Sequence, residues 1–103
     1  MSVKQIEEKD FKEIIKNNDK KILIDCYADW CGPCKMLSPV IDELASEIDS
    51  CEFYKLNVDD AEDISREYGI MSIPTILIFE KGKEIERSIG LKSKEELKKI
   101  ITK

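Results

Sequence analysis

The run Ile22-Leu23-Ile24-Asp25-Cys26-Tyr27-Ala28 is apolar along nearly its whole length and rich in β-forming residues. A strand that alternates apolar and polar residues can leave one face in water. This one cannot, so the sheet that contains it needs cover on both sides. The run passes almost at once into Trp30-Cys31-Gly32-Pro33-Cys34-Lys35, and then into Met36, Leu37, Val40, Ile41, Leu44, Ala45 and Ile48 at helical spacing. A buried strand therefore turns into a helix through a pair of thiols. Pro39 inside that helix removes one backbone hydrogen bond and predicts a bend.

Two thiols at this spacing can close into a small disulfide or supply half of a four-thiolate metal site. The metal reading wants two more ligands, commonly a second CxxC pair or histidines. The chain has no histidine, and its other cysteines, Cys26 and Cys51, stand alone. Redox chemistry remains. The first turn of a helix carries unpaired N–H groups and the positive end of the dipole, which favour an anion. A Cys there gives up its proton more readily, and the thiolate is the nucleophile. Pro33 suits an opening helical position because it has no N–H to leave unpaired, and Gly32 leaves room for a substrate backbone. Cys31, nearer the surface, is assigned as the attacking sulfur and Cys34, one turn deeper, as the resolving one.

The rest of the chain supplies the frame. Val3 to Ile6 reads as a short edge strand. Asp10-Phe11-Lys12-Glu13 reads as a capping box opening a helix with Phe11, Ile14 and Ile15 inward, ended by Asn17-Asn18-Asp19. Glu52 to Val58 is a second strand, and Asp59-Asp60 can cap a short helix running to Tyr68-Gly69. Thr75 to Phe79 and Glu84 to Ile89 form a hairpin around Lys81-Gly82-Lys83. Ser93-Lys94-Glu95-Glu96 is a further capping box, opening a last helix with Leu97, Ile100 and Ile101 inward. The order βαβαβαββα describes one α/β domain over residues 1–103. A central mixed sheet of about five strands is flanked on both faces by about four helices, with a C-terminal antiparallel hairpin and helix.

Charge and missing residues remove whole classes of function. With 17 basic against 22 acidic side chains the net charge is −5, and the lysines are scattered, which argues against nucleic acid as a partner. Without histidine there is no Ser–His–Asp or Cys–His hydrolase and no HExxH site. The four glycines, at 32, 69, 82 and 90, form no phosphate-binding loop, so no bound nucleotide cofactor is expected. The first residues offer no signal-like or membrane-spanning stretch. Four unevenly placed cysteines do not make a secreted disulfide framework, so the expectation is the reducing cytoplasm; a monomer is the default expectation.

From about Ile22 to Ile101 the chain resembles the thioredoxins. The likeness is carried by Asp25, by Ala28-Asp29-Trp30-Cys31-Gly32-Pro33-Cys34-Lys35, by Lys55-Leu56-Asn57-Val58-Asp59, by Ile73-Pro74-Thr75, and by Gly82 and Gly90. The resemblance implies that Asp25 lies under the resolving Cys and handles its proton, with Lys55 close to that carboxyl. It implies a cis Ile73–Pro74 bond against the thiol pair, with the backbone of Ile73 pairing with the substrate chain. Trp30, Gly32, Pro33, Val58, Ile70, Ile73, Ile89 and Gly90 match the family's apolar collar. Cys26 and Tyr27 stand where many relatives carry Phe and Trp, and Ser72 where Gly is frequent, changes that bear on packing and on the redox potential.

If Asp25 and Lys55 are neighbours on parallel strands, Cys51 lies opposite residue 21. That puts it roughly 15 Å from Cys26 by strand rise, against the Cα separation of about 7 Å or less that a disulfide needs. No second disulfide is expected; Cys26 reads as a small buried hydrophobe and Cys51 as a surface thiol. The resulting expectation is a general protein disulfide reductase acting on disulfide-containing clients and reset by a thioredoxin reductase. Two rivals stand beside it. An oxidase or isomerase of the same fold would commonly carry His where Pro33 stands, and a binding module would use the collar while leaving the thiols idle.

Overall fold

Alternation along each strand sends side chains to opposite faces, and here both faces of the central strands are apolar, so two separate cores form. The computed structural model of the protein describes residues 2–16 and 19–103. The elements are β1 (Lys4–Ile6), α1 (Glu8–Lys16), β2 (Lys21–Tyr27), α2 (Gly32–Glu47), β3 (Cys51–Asn57), α3 (Glu62–Glu67), β4 (Thr75–Glu80), β5 (Lys83–Ile89) and α4 (Lys94–Ile101), with a 3-10 turn over Val58–Asp60. The sheet order is β1-β3-β2-β4-β5. β1 and β2 run parallel to β3, whereas β4 is antiparallel to both β2 and β5. Ile22, Ile24, Leu56, Leu77 and Phe79 pack with Phe11 and Ile15 of α1 and Ile64 of α3. On the opposite face Leu23, Phe53, Ile76 and Ile78 meet Leu37, Ile41 and Leu44 of α2 and Leu97 and Ile101 of α4. This is the mixed five-stranded sheet between two helical layers, with the terminal hairpin and helix, that the sequence leads one to expect.

Local chemistry sets most of the element ends. The hairpin turn takes two residues with positive φ, Lys81 at 53° and Gly82 at 84°, the conformation whose twist matches a tight two-residue hairpin. A register shift at Ile78/Phe79 leaves Ile85 unpaired in a bulge. At α4 the Ser93 side chain accepts the Glu96 N–H at 3.1 Å and Glu96 Oε1 accepts the Ser93 N–H at 3.3 Å, a complete capping box. Replacing Ser93 by Ala should lower stability by about 1 kcal/mol. Urea unfolding measures this, and an unchanged midpoint would show that the cap contributes nothing.

Four local expectations are corrected. The first helix starts at Glu8 rather than at Asp10, which sits inside the first turn and donates its N–H to Glu7 O at 3.0 Å. A long-range contact favours the earlier start, since Glu8 Oε2 accepts the Ile64 N–H of α3 at 2.7 Å. The expected helix stop at Asn17-Asn18 lies outside the described residues. Asp59 and Asp60 do not cap α3; they belong to the 3-10 turn, where the Asn57 side chain accepts the Asp59 N–H, and α3 begins after Ala61 without a side-chain cap. Met36 is on the outer face of α2 and exposed. Cys51 is buried rather than a surface thiol, because Phe53, Leu44 of α2, Ile48 just after it and Leu97 of α4 share its core.

Candidate active site

β2 and α2 meet at the two thiols. Cys31 is the N-cap of α2 and Pro33 occupies its opening turn. The Cys34 N–H donates to Cys31 Sγ at 3.2 Å, and the Lys35 N–H donates to Cys31 O at the same distance. Cys31 and Cys34 are joined as a disulfide with their Cα atoms 5.3 Å apart. A helical first turn holds positions i and i+3 on one face, which is why a CxxC opening a helix closes so readily. On reduction the same N–H group would be aimed at a Cys31 thiolate, the arrangement that lowers a thiol's pKa.

Exposure does not separate the two sulfurs, since Cys31 and Cys34 are each 4% exposed. What separates them is the space each one faces. Cys31 opens onto a cleft of about 470 Å³ lined by Trp30, Gly32, Pro33, Val58, Ile70 and Ile73. Cys34 opens onto a smaller cavity of about 130 Å³ that it shares with Asp25, Tyr27, Lys35, Ser38 and Lys55. A Cβ built on Gly32 would meet nothing within 4 Å, so the floor beside Cys31 is open. The Trp30 indole N–H donates to Asp59 Oδ2 at 2.9 Å, which fixes an otherwise exposed ring at the lip of the larger cleft.

The Ile73–Pro74 bond is cis, and Ile73 O lies 3.9 Å from Cys31 Sγ. Pro74 is buried behind the cleft wall. Ile89 and Gly90 lie outside that wall. Ile89 pairs with Thr75 on the β5 edge and is half exposed, and the Gly90 N–H donates to Pro74 O at 2.8 Å with φ at 90°. The cleft also takes as walls Glu62, Ser65 and Met71, which the sequence reading does not assign to the site, and Ser72, which it notes as a departure from the family's glycine. The signal for Met71 was its position in the loop that delivers Ile73 and Pro74. Its 95% exposure could not be read without the fold.

Asp25 is 5% exposed, and its Oδ1 has no hydrogen-bond partner among the described residues. Burial pushes its carboxyl up to about 7, against the pull of the Lys55 ammonium and with a small further push from Asp42. Lys55 is its register neighbour on β3. The register also sets Cys51 opposite Lys21, and Cys26 and Cys51 remain unpaired in opposite cores. Burial raises both thiols to about 12, so each stays protonated and unreactive at neutral pH. Among the described residues, no three His, Cys, Asp or Glu side chains gather where a metal ion could be held. No helix among them is long and apolar enough to cross a membrane.

The comparisons with known proteins agree with this geometry. The thioredoxin family model matches residues 2–103. The thioredoxin of Porphyra purpurea is 44% identical over 104 residues, covering 100% of this chain and 97% of its own. That of Chlamydia muridarum is 48% identical over 82 residues, 80% of each chain. Among solved structures, a mutant thioredoxin from Halobacterium salinarum superposes with a TM-score of 0.89 at 33% identity, covering 97% of this chain and 88% of that one. Sheet order, a disulfide at the mouth of α2 and full-length similarity all point the same way: the chain belongs to the thioredoxin family and is a thiol-disulfide oxidoreductase working through Cys31 and Cys34.

Proposed function

We propose that this chain is a general reductant of protein disulfides in the cytoplasm, acting as a monomer and holding no cofactor of its own. The reduced Cys31 thiolate attacks one sulfur of a client disulfide; a Cys31–client bond forms and the client's other sulfur leaves as a thiolate that takes a proton. Asp25 accepts the proton of Cys34. The Cys34 thiolate then attacks Cys31 Sγ, the Cys31–Cys34 bond forms, and the client departs fully reduced. The client gains two electrons from the pair, and its two sulfurs take one proton released from Cys34 through Asp25 and one from water; a thioredoxin reductase returns two electrons to the pair. Lys55 holds Asp25 partly ionised for its part. Trp30, Gly32, Pro33, Val58, Ile70, Ile73 and the Pro74 backbone receive the client chain, and Ile89 and Gly90 support it from the β5 edge.

The observation that carries this reading is the division of space between the sulfurs. Cys31 faces the cleft that can admit a chain, and Cys34 faces the cavity that holds the carboxyl. A nucleophile needs access and a resolving thiol needs a base, and each has one. Pro33 rather than His ahead of Cys34 favours reduction over oxidation, since no imidazolium is there to stabilise the thiolate form.

A trapping experiment tests the roles. Reduced Cys34→Ser protein mixed with a disulfide-bonded client should accumulate a covalent adduct through Cys31, stable without reductant and released by dithiothreitol. Wild-type protein should instead reduce insulin disulfides catalytically. An adduct absent from Cys34→Ser, or formed through another cysteine, would overturn the assignment.

A further inference from the structure

Among the walls of the cavity behind Cys34 that the disulfide chemistry leaves unused is the ring of Tyr27. Asp25, Lys55 and Gln5 are register partners across β2, β3 and β1, so they form one row on the α2 face of the sheet. Tyr27 is two residues beyond Asp25 on the same face. Its side chain crosses this row: the hydroxyl donates to Gln5 Oε1 at 2.6 Å, and Lys55 Nζ lies 5.9 Å from the ring centroid. The ring thus spans from β2 to the edge strand with the lysine beside it. It also lines two cavities, the one holding Asp25, Cys34 and Lys55 and a separate one beyond, lined by Gln5, Glu7 and Asn57. Tyr27 is the residue that the two linings share.

A Lys side chain on a strand ordinarily extends into water, where its ammonium is best hydrated. The quadrupole of an aromatic face offers a competing site nearer the sheet. From these contacts we infer that Tyr27, tethered by Gln5, is a positioning residue that keeps the Lys55 ammonium at the mouth of the Asp25 cavity and so sets the charge state of the group that takes the Cys34 proton. This rests on the role of Asp25 given above. The other ionisable groups facing Asp25 are Cys34, Lys35 and Asp42 from α2 and Asp29 from the loop before it, with Cys26 next in the chain. β4 brings only Ile76 alongside. Of the two lysines that line the cavity, Lys35 and Lys55, it is Lys55 whose ammonium lies over an aromatic ring.

The direction follows from charge. An ammonium close to a carboxylate favours ionisation, so releasing Lys55 into water raises the Asp25 midpoint. The carboxylate fraction near neutral pH then falls, and the resolving step shifts to higher pH. The test is the carboxyl titration of Asp25 followed by carbon-13 NMR in the oxidised protein, where neither active-site sulfur titrates. Tyr27→Leu should raise the midpoint by about half a pH unit, and Lys55→Met by at least as much. In the Lys55→Met background, Tyr27→Leu should add nothing.

Gln5→Ala and Tyr27→Phe, mild changes that remove only the tether, should give a smaller rise in the same direction. They keep the test usable if the leucine variant folds poorly. An unmoved midpoint in all Tyr27 and Gln5 variants overturns the inference. So does a Tyr27→Leu shift that persists undiminished without Lys55, which would make the ring a matter of packing alone. The pH profile of insulin reduction is recorded in parallel. A midpoint that moves while the profile does not would leave the Tyr27–Lys55 coupling standing and instead remove Asp25 from the resolving step.

Discussion

Oxidised Asp25→Asn protein should be more stable than wild type at pH 8 by a few kcal/mol and about equally stable near pH 4. The carboxyl titrates near 7 in the folded protein, against an ordinary value of 3.8. In the unfolded chain it therefore loses its proton first. Below the unfolded value both states are protonated and nothing is lost. As pH rises from about 4 to 7 the unfolded state is increasingly favoured by ionisation, and above 7 the penalty is constant. At about 1.4 kcal/mol per unit, the gap sets an upper bound of roughly 4 kcal/mol. Asparagine leaves the same unpaired polar group that the protonated acid leaves, so the two proteins converge at low pH. Urea unfolding between pH 4 and 9 measures the difference. A difference that stays flat across this range would mean that Asp25 is not held protonated by burial. The same substitution should slow the resolving step near neutral pH, so the stability gained is offset by lost function.

Changing Cys31 to Ser should have the largest effect on activity, lowering disulfide reduction by at least about a thousandfold. An alcohol is a far weaker nucleophile than a thiolate, and Cys34 cannot replace it. Cys34 faces the cavity beside Asp25, whose volume of about 130 Å³ against about 470 Å³ for the cleft at Cys31 leaves no room for a client chain. The contrast with Cys34→Ser is the informative part. Both variants should fail to turn over, but only the latter should retain a client on Cys31. Single-turnover mixing with a disulfide-bonded peptide resolves the two. If Cys31→Ser formed adducts through Cys34 at a comparable rate, the two sulfurs would have to exchange roles.

Much of this site could be read in the sequence because it rests on short-range rules. A CxxC between an all-apolar strand and a helical repeat places both thiols in a first turn, and Ser93 with Glu96 announces a cap that forms as written. Pairing Asp25 with Lys55 set the register that put Cys51 opposite Lys21 and ruled out a bond to Cys26. The misreadings concern residues whose partners are distant in the chain. Glu8 opens α1 because a backbone N–H of α3 meets it. Cys51 is buried in a core that Leu97 and Ile101 of α4, far along the chain, help to close.

By itself the sequence determined the element order, the two-sided burial of the sheet and the chemical nature of the reacting pair. Periodicity, capping and residue type act over a few residues and need no fold to be legible. Tertiary structure alone decided which sulfur faces which cavity, that Met71 and Glu62 wall the cleft, and that the Tyr27 ring joins β1 to the Asp25 cavity. Those arrangements depend on where strands and loops from separate parts of the chain come to rest against one another. A change of one residue in the register of β2 would move Asp25 and Tyr27 to the other face of the sheet.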